Sequence, residues 1–103
     1  MSRSIPRLLS RVRKLAEQGR VNFTRKAYRE LATFDQPIVE SDAIDIIIAF
    51  TEHDFVQRIK SHITGEYMYV FKTQIGNLWI YVKLLLRDEC IIVSFHEDTE
   101  DHA

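Results

Sequence analysis

The stretch from Tyr67 to His96 leaves this chain few folds to choose from. It reads YMYVFK, TQIGN, LWIYVKLLL, RDE and CIIVSFH: three runs rich in Tyr, Val, Ile, Phe and Trp, separated by polar breaks. Such runs are strands. Gly76-Asn77 is a two-residue hairpin turn with Gly in the position that needs positive φ. Asp88-Glu89 forms the second connection, polar and central but less turn-like. Two-residue loops at both places predict the register. Lys72 then lies opposite Tyr81, Phe71 opposite Val82 and Tyr69 opposite Leu84, while in the second hairpin Tyr81 meets His96, Val82 meets Phe95 and Leu84 meets Val93.

Side chains alternate between faces, and directly opposed residues share one. One face therefore gathers Tyr67, Tyr69, Phe71, Ile80, Val82, Leu84, Leu86, Ile91, Val93 and Phe95, a core. The other carries the row Lys72–Tyr81–His96, with Val70–Lys83–Ser94 beside it and Trp79 and Leu85 in the same patch. Strands lie ~4.8 Å apart, so the outer members of a row are on the order of 10 Å apart, which fits a phosphodiester with its neighbouring sugar. Polar groups on the wet face of an antiparallel sheet need no function. The convergence of a phenol, an imidazole and two ammonium groups is what singles this face out.

Ahead of the strands the pattern is helical. Ser4 caps a predicted helix over 5–18, with Pro6 in its first turn, an apolar stripe of Leu8, Leu9, Val12, Leu15 and Ala16, and Gly19 as its stop. Arg20–Phe23 alternates as a short edge strand. Thr24 caps a second helix over 25–34 that buries Ala27, Leu31 and Tyr28, and Asp35-Gln36-Pro37 breaks it. Ser41 caps a third over 42–50 with Ile44, Ile47 and Ile48 inward. Thr51 to Asp54 has capping-box spacing. Phe55–Lys60 reads as a further strand, His62–Glu66 as a loop, and Glu97–Ala103 as a frayed acidic end. Helices first and strands afterwards predict an α+β fold, N-terminal helices packed on one face of a C-terminal antiparallel sheet. Residues 1–103 form one expected domain, with 98–103 as a flexible acidic tail.

No apolar run approaches the ~20 residues of a membrane span, and Arg3, Arg7, Arg11, Arg13 and Lys14 interrupt any signal-like stretch. The single cysteine, Cys90, builds no internal disulfide, so a reducing, cytoplasmic location is expected. Charge is segregated. Residues 1–30 hold nine Lys/Arg against two acidic residues, a net of +7, and the rest hold five against thirteen, a net of −8. The basic part suits nucleic acid or an acidic protein.

Metal and cofactor sites are not expected. His53, His62, His96 and His102 form no close helical pair, the three glycines are isolated, and Ser94 lies in mid-strand rather than on a strained turn. Acid/base chemistry or simple binding remains. RNA cleavage by the substrate's own 2′-hydroxyl needs only a base, an acid and cations for the phosphate charge. Lys72 and Lys83 supply cations. His96, an imidazole, supplies the acid or base. Tyr81 supplies a hydrogen-bond donor, and Trp79 a stacking surface for an unpaired base.

The runs SRVRKLAEQGRVNFTRKA, DAIDIIIAFTEHDF and YVKLLLRDECIIVSFHED resemble the MqsR family of bacterial toxins over about residues 8–97. The closest pieces are the helix-Gly-strand-Thr-Arg segment near Gly19–Arg25, Asp54-Phe55, Tyr81-x-Lys83 and Ile92–Phe95. The resemblance implies a RelE-like fold and a messenger-RNA interferase of a type II toxin–antitoxin system, with messenger RNA, free or on the ribosome, as substrate and a cognate antitoxin as partner. It places the family's sheet tyrosine at Tyr81, its basic residue of the preceding strand at Lys72, and its catalytic lysine after Val-Ser-Phe at His96. The family's lysine after Asp-Phe falls on Gln57, with Arg58 and Lys60 close by as substitutes, and its sheet glutamine falls on Met68. Both departures bear on cleavage preference or on whether the chain cleaves at all. A reading of another class is a non-catalytic module of the same fold that binds a protein or nucleic acid through the basic N-terminal segment.

Overall fold

The computed structural model describes residues 4–100. In chain order they form α1 (Ser4–Glu17), β1 (Val21–Phe23), α2 (Arg25–Leu31), α3 (Glu40–Ile48), a 3-10 turn (Glu52–Asp54), β2 (Phe55–Lys60), β3 (Tyr67–Ile75), β4 (Leu78–Leu86) and β5 (Cys90–Glu97). The apolar residues of α1 recur every three or four positions, so Ile5, Leu8, Leu9, Val12 and Leu15 all turn inward. Gly19 ends the helix at φ 71°, with its own N–H donating to the Ala16 carbonyl and that of Arg20 to Leu15. This is a Schellman closure. A side chain at position 19 meets no atom within 4 Å, so the backbone angle alone demands glycine.

The second and third helices differ from their sequence pattern. Thr24 caps α2 as predicted, its hydroxyl accepting from the Ala27 N–H. The helix stops at Leu31, however, three residues early, and the Thr33 hydroxyl donates to the Glu30 carbonyl at 2.6 Å. Seven residues present only one narrow apolar stripe, Ala27 and Leu31, and Tyr28 is left 60% exposed instead of buried. α3 starts at Glu40, so Ser41 lies inside it and Val39 takes the cap position without a side-chain bond. The earlier start brings Ala43 and Ile47, four residues apart, onto the core at 0% and 1% exposure, with Ile44 and Ile48 half-buried. The exposed carbonyls at its C-terminal end are satisfied from α1. The Arg13 guanidinium donates to Ile48 O at 3.1 Å and Phe50 O at 2.8 Å, a cation where the helix dipole favours one. Thr51 and Asp54 close the predicted capping box on the 3-10 turn.

The five strands form one sheet in the order β1-β5-β4-β3-β2. Its antiparallel part is β2 to β5, while β1 adds to the edge parallel to β5, Val21 opposite Cys90. Gly76 takes φ 61° and no other residue of its turn is positive, the type II′ geometry that matches strand twist. The first hairpin keeps the predicted register. The second does not. Its loop has three residues, Arg87 to Glu89, closed by Arg87 N–H donating to Glu89 O, so Leu86 rather than Arg87 faces Cys90. Leu84 meets Ile92, not Val93, and the inward residues of early β5 are Cys90 and Ile92, both fully buried, in place of Ile91 and Val93. A bulge between Lys83 and Leu84 and their partners then takes up one residue at Val93. Beyond it the predicted pairs return: Lys83 with Ser94, Val82 with Phe95, Tyr81 with His96.

The helices cover the Phe71, Val82 and Phe95 face, where all three residues are 0% exposed. Phe71 stacks on Phe50 at 4.6 Å between ring centres and takes the edge of Phe55 at 5.6 Å. Tyr67 has the predicted parity but lies beyond the helices, 43% exposed, with the Arg58 guanidinium 4.1 Å over its ring.

Candidate active site

The opposite face of the sheet realises the predicted row. Lys72, Tyr81 and His96 stand directly opposite one another on β3, β4 and β5, and the neighbouring row is Val70, Lys83 and Ser94. The Tyr81 and His96 rings are stacked, centres 4.8 Å apart and 11° from parallel. That is the inter-strand spacing, so the pair needs no backbone distortion. Trp79, paired with Gln74, and Leu85, paired with Ile91, share this face and are half-buried.

The imidazole is oriented by its own strand. His96 Nδ1 is 2.9 Å from the Glu97 carbonyl oxygen. A carbonyl only accepts, so Nδ1 carries the proton of this bond and Nε2 is the lone-pair nitrogen of the neutral ring. Burial raises the Tyr81 hydroxyl pKa above its ordinary value; the Lys72 charge opposes this and Asp98 and Glu100 reinforce it. The phenol is thus neutral at physiological pH and acts as a donor, not as a phenolate.

Lys72 is not the open cation that the sequence predicts. Its ammonium lies 2.9 Å from Glu100 Oε2 and 3.2 Å from Asp98 Oδ2. Asp98 is 8% exposed, and its N–H donates to the Trp79 carbonyl, extending the β4–β5 ladder past Glu97. The acidic end expected to fray is therefore strapped across the row by Asp98 and Glu100, and residues 101–103 lie outside the described residues. The bond to Glu100, ahead of those to Asp98, raises the Lys72 pKa. A raised lysine pKa stabilises the fold below the ordinary value and loses that contribution only as pH rises through the higher one. The strap is thus ion-paired throughout the neutral range.

Arg58 and Lys60 are not brought to this face. Arg58 pairs with Tyr69 and Lys60 with Tyr67, which places both on the helical side, and Arg58 lines a cleft there with Ile5, Leu8 and Tyr69. Alternation along β2 decides this. Gln57, opposite Val70, and Ile59, opposite Met68, are the residues that β2 offers to the open face. A second cleft, lined by Phe34, Pro37, Ile38, Ile75 and Leu78, is also on the helical side, and neither cleft includes Tyr81 or His96. Cys90 is fully buried, its thiol pushed up to about 12 by desolvation, and takes no part. Among the described residues no group of three His, Cys, Asp or Glu could hold a metal, and no helix is long and apolar enough to cross a membrane.

Sequence reasoning missed two features of the site. The strap carried a weak signal, HEDTE next to a predicted cationic row, but nothing local said that it docks. Lys26 carried none: it reaches the open face from α2, its Nζ 2.9 Å from Ser94 Oγ.

No individual curated protein matches the chain. The sequence profile of the family described as motility quorum-sensing regulator, toxin of MqsA, matches residues 6–97, from the first turn of α1 to the end of β5, and includes the whole row. This chain belongs to the MqsR toxin family, a family of toxins of toxin–antitoxin systems.

Proposed function

We propose that this protein is a metal-independent endoribonuclease that cleaves messenger RNA on the open sheet face, held in check by a cognate MqsA-like antitoxin and acting in the cytoplasm, where messenger RNA is translated. The observation that carries the reading is the stacked Tyr81–His96 pair on the face opposite the helical layer, with Lys83 in the next row. His96 Nε2 takes the proton of the 2′-hydroxyl, and the 2′-oxygen attacks the adjacent phosphorus. The P–O5′ bond breaks and the 5′-oxygen takes a proton from water, leaving a 2′,3′-cyclic phosphate and a 5′-hydroxyl. Tyr81 donates a hydrogen bond to a phosphoryl oxygen, Lys72 offsets the charge that builds there once the phosphate has displaced Glu100, Lys83 binds the RNA backbone from the next row, and Trp79 stacks on a flanking base. Arg58 and Lys60 have no part in this site, being on the other face.

Inducing the full chain in a bacterium is expected to arrest growth and to leave new 5′-ends in cellular transcripts, with relief by the antitoxin. Arrest with intact transcripts, mapped by primer extension, would sink the reading. Two observations favour the non-catalytic alternative: Lys72 is already neutralised, and Gln57 and Met68 stand where the resemblance places family site residues. A binding module would keep its salt-sensitive affinity and its toxicity when Lys72, Tyr81 and His96 are all replaced.

The strap makes a separate prediction. The Glu100 side chain is 72% exposed while that of Asp98 is 5%, so Glu100 is the partner that a substrate phosphate displaces. Glu100→Gln is expected to tighten binding of single-stranded RNA a few-fold and to steepen its salt dependence. Unchanged affinity in a fluorescence anisotropy titration would show that Glu100 does not compete.

A further inference from the structure

We propose that Lys26 and Lys83 form a second phosphate subsite, for the nucleotide next to the one held at Tyr81 and His96. The proposal rests on reading the open face as an RNA-binding surface. Lys83 faces Ser94 directly across β4 and β5. Ser94 is two residues from His96 on the same face, about 7 Å along the strand, and is itself 3% exposed. The Lys26 ammonium covers it from the other side, donating to Ser94 Oγ at 2.9 Å and to Glu30 Oε2 at 3.0 Å. Two cations from different elements thus flank one point of the face.

The position of Lys26 is built, not incidental. The bulge in β5 presents Ile92 O and Val93 O to Thr24, whose N–H and hydroxyl donate to them at 3.0 and 3.3 Å. That clips the first turn of α2 to the strand. One turn on, Glu30 Oε1 accepts from the Phe95 N–H at 3.0 Å, so Glu30 holds both the strand edge and the lysine. An ammonium has three N–H donors. Ser94 and Glu30 take two of them, and the side chain is 59% exposed, so one donor is left for a ligand. Lys83 has no ion-pair partner among the described residues, in contrast to Lys72. The positive charge available on this face therefore lies in the row of Ser94, one row along the strands from His96 and on the side away from the strap. A strand of RNA that places its scissile phosphate at His96 runs its next phosphate between Lys26 and Lys83.

The test uses a labelled 2′-deoxy oligonucleotide, which lacks the attacking hydroxyl, so that binding is read without cleavage. Lys26→Gln and Lys83→Gln are each expected to weaken binding about 3- to 10-fold. Each should reduce the slope of log affinity against log salt by about 0.7, the value for one phosphate contact on a single strand. With cleavable RNA, Lys26→Gln should raise KM and leave kcat within about twofold, and Lys26→Arg should restore both affinity and slope. If the wild-type chain binds and cleaves while Lys26→Gln keeps its affinity and slope, the subsite is wrong and the nuclease reading stands. If Arg and Gln weaken binding equally in variants that unfold at the wild-type temperature, Lys26 acts only by packing on Ser94 and the subsite is again wrong. If the wild-type chain fails to bind the oligonucleotide, the nuclease reading falls and this one with it.

Discussion

His96→Ala is expected to lower RNA cleavage by about 10²- to 10⁴-fold, the range for loss of a positioned acid/base group. KM should change little, because the imidazole contributes to proton transfer and not to uniform binding. Tyr81→Phe removes one donor to a phosphoryl oxygen and is expected to cost on the order of 10²-fold. Both rest on one arrangement: two rings stacked at 4.8 Å, with Nδ1 tied to the Glu97 carbonyl so that Nε2 is the reactive nitrogen. His96→Lys, which puts the residue that the resemblance implies for the family at this position, should retain more activity than His96→Ala. The decisive measurement is single-turnover cleavage of a defined RNA by refolded wild type and variants. A His96→Ala variant within a few-fold of wild type would mean that proton transfer happens elsewhere.

Phe71→Ala carries the largest expected loss of stability, about 3–5 kcal/mol, from lost transfer energy and the cavity left behind. Phe71 is 0% exposed and ties both sides of the 3-10 turn to the centre of the core, stacked flat on Phe50 after α3 and met edge-on by Phe55 at the start of β2. Each aromatic pair adds about 0.5–1.5 kcal/mol beyond its buried area. A domain of this size holds only about 5–15 kcal/mol in total, so the variant should be partly unfolded at growth temperature. Urea denaturation is expected to show a lower midpoint with an unchanged m-value. A loss below about 1 kcal/mol would mean that the core closes over the missing ring.

The legibility of this chain varied with the range of the interactions. The α1 stripe, the Gly19 stop, the Gly76-Asn77 hairpin and the Thr51–Asp54 box were all readable, because each depends on residues within a few positions of one another. The end of α2 and the start of α3 were not, since Ser41 is as good a cap on paper as Thr24 and only packing of Ala43 and Ile47 selects Glu40 as the start of α3. The second hairpin is the most instructive case. A loop one residue longer than expected would have turned His96 to the helical side, had β5 not absorbed one residue at Val93. The two offsets cancel, so the row was anticipated correctly while the early part of β5 was not.

The amino-acid order alone thus determined the fold class, the alternation that separates a core face from a polar one, and the alignment of Lys72, Tyr81 and His96. It did so because periodicity and turn chemistry act over short distances along the chain. Tertiary structure decided which charges are available there. Asp98 and Glu100 reach Lys72 only because the ladder continues past β5, and Lys26 reaches Ser94 only because α2 is clipped to the bulge. Arg58 and Lys60 turn away because they follow Gln57 at the wrong parity. Electrostatics depends on distance in space, and residues 26, 72 and 98 carry no mark in the sequence that they will meet one sheet face.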